Sequence, residues 1–352
     1  MNKLLQSKSE TCRELKYGRR FGGVRIILDK LVEMPIIVML LASWIFFICY
    51  SDKFLTLSNI LTLLGTNAYF AVTAIGEVYV MLTGGIDLSV AQIVAFSAVA
   101  SASTMSKMLD AGAETSEVIL IGILISVAIG ILFGLINGTL IGFFNINGFI
   151  VTMSTQLVAR GLALVSSNAG RSIGNIPEDI VKMSTSYGIH IGENVTIPWI
   201  ILLAMVLLGL FGFLLSQTDW GRQIILVGAK KEAARYIGIN TKLVIASTYY
   251  VAGLVSGIAG FMTMMCLGCG DPKLGDRLLM PIIGAVVLGG IDMNGGEGTM
   301  TKGVLGMLMF ATLINGMTFM NLTLSAQQIV QGITIIIGTM ILALINRRKR
   351  IA

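Results

Sequence analysis

The chain reads as a succession of long apolar runs, almost free of charge, divided by short polar segments. The runs lie near Met34–Tyr50, Asn59–Leu82, Leu88–Ser103, Val118–Phe144, Phe149–Ser166, Ile197–Leu215, Leu243–Leu267, Leu278–Gly290, Gly303–Met320 and Ile329–Ile345. A spanning helix takes about 20 apolar residues, so ten would use roughly 200 and leave about 150 for loops and tails. The eighth run, 13 residues long, is too short to cross unless it is tilted or continues into its glycine-rich flank. The runs are continuous rather than alternating, which argues against a β-barrel. The pattern predicts an all-α polytopic membrane bundle of about ten spans, with broken helices and internal pseudo-repeats.

Composition agrees. Of 352 residues only 12% are charged and 55% are hydrophobic, with 41 glycines, whereas soluble domains carry about 25% charge. A water-soluble fold, intrinsic disorder, a basic nucleic-acid-binding domain and a disulfide-stapled scaffold are excluded together. The net charge of +6 is concentrated. Residues 1–33 hold eight Lys/Arg, residues 216–242 five, and Arg347–Arg350 four, against one in 104–117 and two in 167–196. Basic loops stay in the cytoplasm, so both termini and the central segment are expected inside. The expected organisation is a cytoplasmic tail (1–33), a transmembrane domain (34–346) containing a cytoplasmic segment (216–242), and a basic tail (347–352). The first 33 residues mix acid and base without a small-residue cleavage site, unlike a signal peptide.

Chemistry-bearing residues are few. Cys266 and Cys269 could form a disulfide or half of a metal site, but the only histidine, His190, sits in another loop, and packing is the better reading. No metal or cofactor is expected on this chain. Glu77, Asp87 and Asp292 lie in or beside apolar runs, where a carboxylate at a helix centre costs about 2.5–3.5 kcal/mol. Asp87 and Asp292 share one tetrapeptide, Gly84-Gly85-Ile86-Asp87 and Gly289-Gly290-Ile291-Asp292. Paired glycines end a helix and an Asp can cap the next, while a break at membrane depth marks a transport pathway. Leu135-Ile136-Asn137-Gly138 recurs as Leu313-Ile314-Asn315-Gly316, and Ser154-Thr155-Gln156 is echoed by Ser325-Ala326-Gln327. That pairing offsets the runs by five, which the Gly-Gly-Ile-Asp pair does not obey. Asn67, Glu77, Asp87, Asn137, Gln156 and Asn315 are the candidate pathway residues; the amides serve equally well as interhelical glue.

The central segment runs from Gly228 through Lys230-Lys231-Glu232-Ala233-Ala234-Arg235 to Gly238-Ile239-Asn240. Lys231 to Arg235 are good helix formers and Gly238 is placed to stop them. A charged helix this short lies on the membrane surface or docks into a partner.

Leu82-Thr83-Gly84-Gly85-Ile86-Asp87-Leu88-Ser89-Val90, the Glu232–Asn240 segment, and Val287-Leu288-Gly289-Gly290 to Gly295-Gly296-Glu297-Gly298-Thr299 together resemble the membrane permeases of ribose-type ABC sugar importers, in the branched-chain amino acid/ribose permease superfamily. The sequence departs from that pattern at Ala91, where glycine is common, and at Lys230-Lys231, where Asn-Pro is commoner. The resemblance implies a bacterial inner-membrane subunit that pairs with a second permease, identical or related, to form a pore. It implies two cytosolic ATPase subunits, which use ATP and Mg, docked on Lys231, Glu232, Ala233, Ala234, Arg235 and Gly238. An extracytoplasmic solute-binding protein would deliver the solute. The chain has no G-x-x-x-x-G-K-[ST] phosphate loop of its own, which fits a non-catalytic subunit. Two rivals are an ion-coupled secondary transporter using Glu77 or Asp87, and an intramembrane aspartyl protease based on Gly268-Cys269-Gly270-Asp271.

Overall fold

A computed structural model describes residues 35–167, 170–191 and 195–351; the expected tail 1–33, with Cys12, and Ala352 lie outside the described residues. In chain order the elements are α1 (Pro35–Tyr50), α2 (Leu57–Thr66), α3 (Ala68–Leu82), α4 (Val90–Asp110), and α5 (Thr115–Gly138) with a π-helical extension (Thr139–Phe143). Then come α6 (Gly148–Ser166), α7 (Glu178–Thr185), strands β1 (Gly188–Ile191) and β2 (Val195–Pro198), and α8 (Trp199–Gln217). The remainder is α9 (Asp219–Ala229), α10 (Lys231–Tyr236), α11 (Thr241–Leu267), α12 (Leu274–Leu288), α13 (Met300–Phe319) and α14 (Leu324–Ile351).

Each apolar run falls on a helix, or, for the second, on the pair α2–α3. The expected count of ten crossings is not established, however. Among the described residues six helices (extended α5, α6, α8, α11, α13 and α14) are long and apolar enough to span, and α2–α3, bent by 49°, make a seventh if the pair is one span. Asn67 forms the bend: it caps α2 and its Nδ2 donates to the Leu63 carbonyl at 2.9 Å. Helix α4 falls short because Gln92 and several serines dilute its apolar character, and α12 because it has 15 residues.

The short α12 has a packing explanation. After α11 ends at Leu267 the chain turns inward, and Gly270 fits so closely on α4 that an added Cβ would lie 2.8 Å from Val99 Cα. Ile173 and Gly270 exchange backbone hydrogen bonds there. Helix α12 then begins beside Gln92, with Gly275 against its amide. It therefore starts inside the bundle rather than at its end, so it is shorter than a full span.

A stripe of small residues sets the tightest contact. Gly122, Ser126, Gly130, Gly134, Gly138 and Gly142 recur every fourth position along extended α5, and all are buried. Adding Cβ to Gly130 would place it 2.3 Å from the Gly253 carbonyl of α11, and the reverse substitution at Gly253 meets Gly130 at 2.4 Å. Backbones at this range gain dispersion contacts that lipid cannot replace. Ser126 adds a hydroxyl bond to the Gly257 carbonyl at 2.7 Å.

Helix packing follows the offset of five that the Asn and Gln motifs imply. Run three (α4) packs on runs four and five as run eight (α12) packs on nine and ten. Run seven (α11) packs on three and four as run two (α3) packs on eight and nine, and runs two and seven pack on each other. The Gly-Gly-Ile-Asp repetition has no such support. Its copies differ in conformation: Gly84 takes the positive φ in the first (78°) and Gly290 in the second (94°).

The segment between runs five and six contains α7 and the antiparallel β1–β2 hairpin, in which His190 pairs with Thr196. His190 is thus a hairpin residue, its Nδ1 2.9 Å from Thr196 Oγ1.

Candidate functional site

Three glycine-bearing segments meet backbone to backbone. The carbonyl of Leu82, where α3 ends, accepts a bond from the Gly296 N–H at 2.9 Å. A Cβ on Gly228, in the last turn of α9, would lie 1.8 Å from that same carbonyl oxygen and 2.6 Å from the Gly296 nitrogen. On Gly295 it would lie 2.6 Å from the Gly84 nitrogen, and on Gly296 2.5 Å from Ala229 Cα. Gly84, Gly295 and Gly296 all have positive φ, which an L side chain adopts only at a cost. No side chain fits between the first helix break, the 289–299 loop and the segment leading to α10. The sequence displays all three segments, but separated by some 140 and 70 positions, so their convergence is a tertiary fact.

Beyond this junction lies a buried polar cluster. Asp87 Oδ1 accepts from the Ser89 N–H at 2.8 Å and from its hydroxyl at 2.5 Å, holding the start of α4. Asn137 Nδ2 donates to Ser89 Oγ at 2.8 Å, and the Asp87 N–H points to Glu77 Oε1 at 3.4 Å. Glu77, Asp87 and Asn137 are buried. Glu77 Oε2 and Asn137 Oδ1 find no protein partner among the described residues. Tyr249 closes the cluster: a Cβ on Gly85 would lie 2.6 Å from its hydroxyl. Glu77 thus faces the interior, where its carboxylate avoids lipid. Asp292 does not cap a helix; it closes a turn, accepting the Asn294 N–H at 2.8 Å, and Thr299 caps α13 instead.

The remaining candidates disperse. Asn315 forms a reciprocal amide pair with Asn59, at 3.0 and 3.1 Å, a contact of the interhelical-glue kind. Gln156 is half-buried on α6, and Asn67 sits at the α2–α3 bend. Gly289 packs on the Lys302 carbonyl of α13, 2.2 Å from where its Cβ would be. Cys266 and Cys269 are free thiols, Cys266 lying 3.5 Å from the Gly65 carbonyl. Asp271, the aspartate of the protease-like motif, accepts the Lys273 N–H at 2.9 Å and faces Arg277 at 4.0 Å, a cation rather than a second carboxyl.

In the charged segment, Glu232, Ala233, Arg235 and Gly238 are exposed, and Lys231 reaches Asn145 Oδ1 at 3.3 Å. Gly238, at φ 88°, turns the chain after α10 as expected. Ala234 is buried against its own chain, so it does not present itself to a partner. Tyr236 is 91% and Ile237 69% exposed. Other functional candidates were missed altogether. Arg160 pairs with Asp276 at 2.8 Å, and Asp276 also accepts from Gln92 Nε2 at 2.8 Å. The available signal was Arg160 itself, the only charge in its apolar run.

Comparison with known proteins places this geometry in a family. The family described as "Branched-chain amino acid transport system / permease component" matches residues 59–339. An L-arabinose ABC transporter permease protein of Azospirillum brasilense is 30% identical over 335 residues, 95% of this chain and 91% of the relative. A ribose import permease protein of Bacillus subtilis is 33% identical over 332 residues, 94% of this chain and 95% of the relative. A D-allose transport system permease protein of Escherichia coli is 28% identical over 296 residues, 84% and 86% of the two chains. No solved structure matched the chain. The chain is a helical membrane protein of the branched-chain amino acid transport system permease family.

Proposed function

We propose that the chain is the transmembrane permease subunit of a bacterial ATP-binding-cassette importer, and that its solute is a monosaccharide. Near full-length similarity to permeases named for L-arabinose, ribose and D-allose supports the solute class. The observation that carries the mechanism is the glycine junction. A helix end that abuts both the first break and the 289–299 loop through main chain alone passes displacement on without slack.

In this reading α10 docks on a cytosolic ATPase through Glu232, Ala233, Arg235, Tyr236 and Ile237. ATP and Mg are used by that subunit, not by this chain. ATPase closure moves α9 and α10, and Gly228 and Ala229 transmit the movement to Leu82–Asp87 and Gly295–Gly296. The break then shifts between two arrangements that open the pathway to either side. A second permease, identical or related, completes the pore, and an extracytoplasmic binding protein loads it. In this reading the chain sits in the inner membrane, and its basic residues favour both termini and 216–242 on the cytoplasmic side.

The test is uptake of labelled ribose, arabinose and allose by proteoliposomes holding the chain, its ATPase and its binding protein. ATP-dependent uptake of at least one sugar is expected. Uptake by the chain alone, driven by an ion gradient, would replace this reading with the ion-coupled one and put Glu77 and Asp87 at its centre.

A further inference from the structure

Arg160 lies twelve residues beyond Gly148 in α6, inside a helix long and apolar enough to cross a membrane. It remains largely accessible there. The Arg160 and Asp276 side chains are 48% and 39% exposed although they bond each other at 2.8 Å. Gln92 is wholly buried and anchors Asp276 through Nε2, while its Oε1 has no partner among the described residues. The next residue of α12, Arg277, lines a cavity of about 160 Å³ with Asn67, Gln327, Gln328 and Gln331. Charges at mid-depth facing lipid each cost about 2.5–3.5 kcal/mol even on the mildest scale, so such residues face water or protein instead. Because α12 starts inside the bundle, against Gln92 of α4, its charged first turn is presented among the spanning helices.

We infer that the first turn of α12 carries a solute-binding station on the translocation pathway, with Asp276, Arg160 and Gln92 on one flank and Arg277, Gln328 and Gln331 on the other. The inference rests on the permease reading and adds to it the residues that meet the solute. The chemistry selects a polyhydroxylated solute. Asp276 accepts from hydroxyls, the guanidinium groups donate to them, and the amides do both. A sugar offers a donor and an acceptor on nearly every carbon, whereas an aliphatic solute gains nothing from a wall of amides. The Arg160–Asp276 bond keeps its own flank neutral when empty, and exchanging it for bonds to hydroxyls keeps occupancy reversible, as passage requires.

The experiment uses the complete transporter with Cys12, Cys49, Cys266 and Cys269 replaced by serine. Asp276→Cys and Gln328→Cys should react with sulfonatoethyl methanethiosulfonate, a small charged thiol reagent confined to water. Val158→Cys, on the exposed apolar face of α6, should not. The charge-balanced double variant Arg160→Met/Asp276→Leu should insert and assemble with the ATPase yet take up sugar about tenfold more slowly, the worth of one charge-assisted hydrogen bond. Protection of both cysteines from the reagent, or full uptake by the double variant, overturns the station and leaves ATP-driven transport standing. Uptake by the unaltered transporter that needs no ATP overturns the importer reading instead, and labelling of the two cysteines would still show a water-filled path.

Discussion

The Gly296 N–H donates to the Leu82 carbonyl at 2.9 Å, tying the loop after α12 to the last turn of α3 across 214 positions of sequence through main chain alone. Gly228 closes on the same carbonyl from the third side. Gly228→Val is expected to cost about 1–3 kcal/mol as overpacking and to abolish ATP-driven uptake. Gly209→Val, whose Cβ meets nothing within 4 Å, serves as the control. Melting in detergent and uptake in vesicles check the pair; equal behaviour of the two variants would show that the junction has room to yield.

Glu77 is fully buried beside the α3–α4 break. Glu77→Gln keeps the shape and its one contact to the Asp87 N–H, so membrane levels should match the parent. Glu77→Lys places a longer cation in the same space at a cost of several kcal/mol, and immunoblotting of membranes should show its level falling. A normal level for the lysine variant would mean that water reaches this position.

The Asn59–Asn315 amide pair is a structural clasp in the proposed scheme. A double-mutant cycle with Asn59→Leu and Asn315→Leu should give a coupling of about 0.6 kcal/mol, and no more than about 1.7, the range found for interhelical hydrogen bonds in bilayers. Uptake by the double variant should stay near the parent's. Loss of uptake with unchanged stability would return Asn315 to the pathway.

Tyr236 and Ile237 stand exposed on the end of α10. Tyr236→Glu/Ile237→Glu should release the ATPase subunit during co-purification while leaving the permease folded, since neither side chain supports its own chain. Retention of the ATPase at the parent's stoichiometry would move the dock elsewhere.

Orientation is open to direct labelling. With native cysteines removed, Ser186→Cys should react with an impermeant maleimide added to intact cells, and Asn240→Cys should react only after the membrane is opened. Both positions are exposed, so the reverse pattern would invert the topology drawn from Lys and Arg.

The sequence displayed what depends on local composition. Apolar runs became helices because an uncharged run of that length has no other way to satisfy its backbone in lipid. Gly238 and Gly84 turned the chain where expected, since φ near +80° is a glycine property. Hidden were features that need two distant segments at once. Arg160 and Asp276 are 116 positions apart, and the meeting of Gly228 with Leu82 and Gly296 has no local signature. The hairpin near His190 escaped because its strands are four residues each, shorter than any alternation that would reveal them. The fourfold spacing of small residues in α5 was legible and passed unread.

That spacing has a consequence for how such a protein can diversify. Where Gly130 and Gly253 touch, even a methyl group has no place to go, so these two positions admit no side chain. A change in the solute carried is therefore expected to come from α6, α12 and α14, whose side chains form the proposed station, and to leave this crossing as it is.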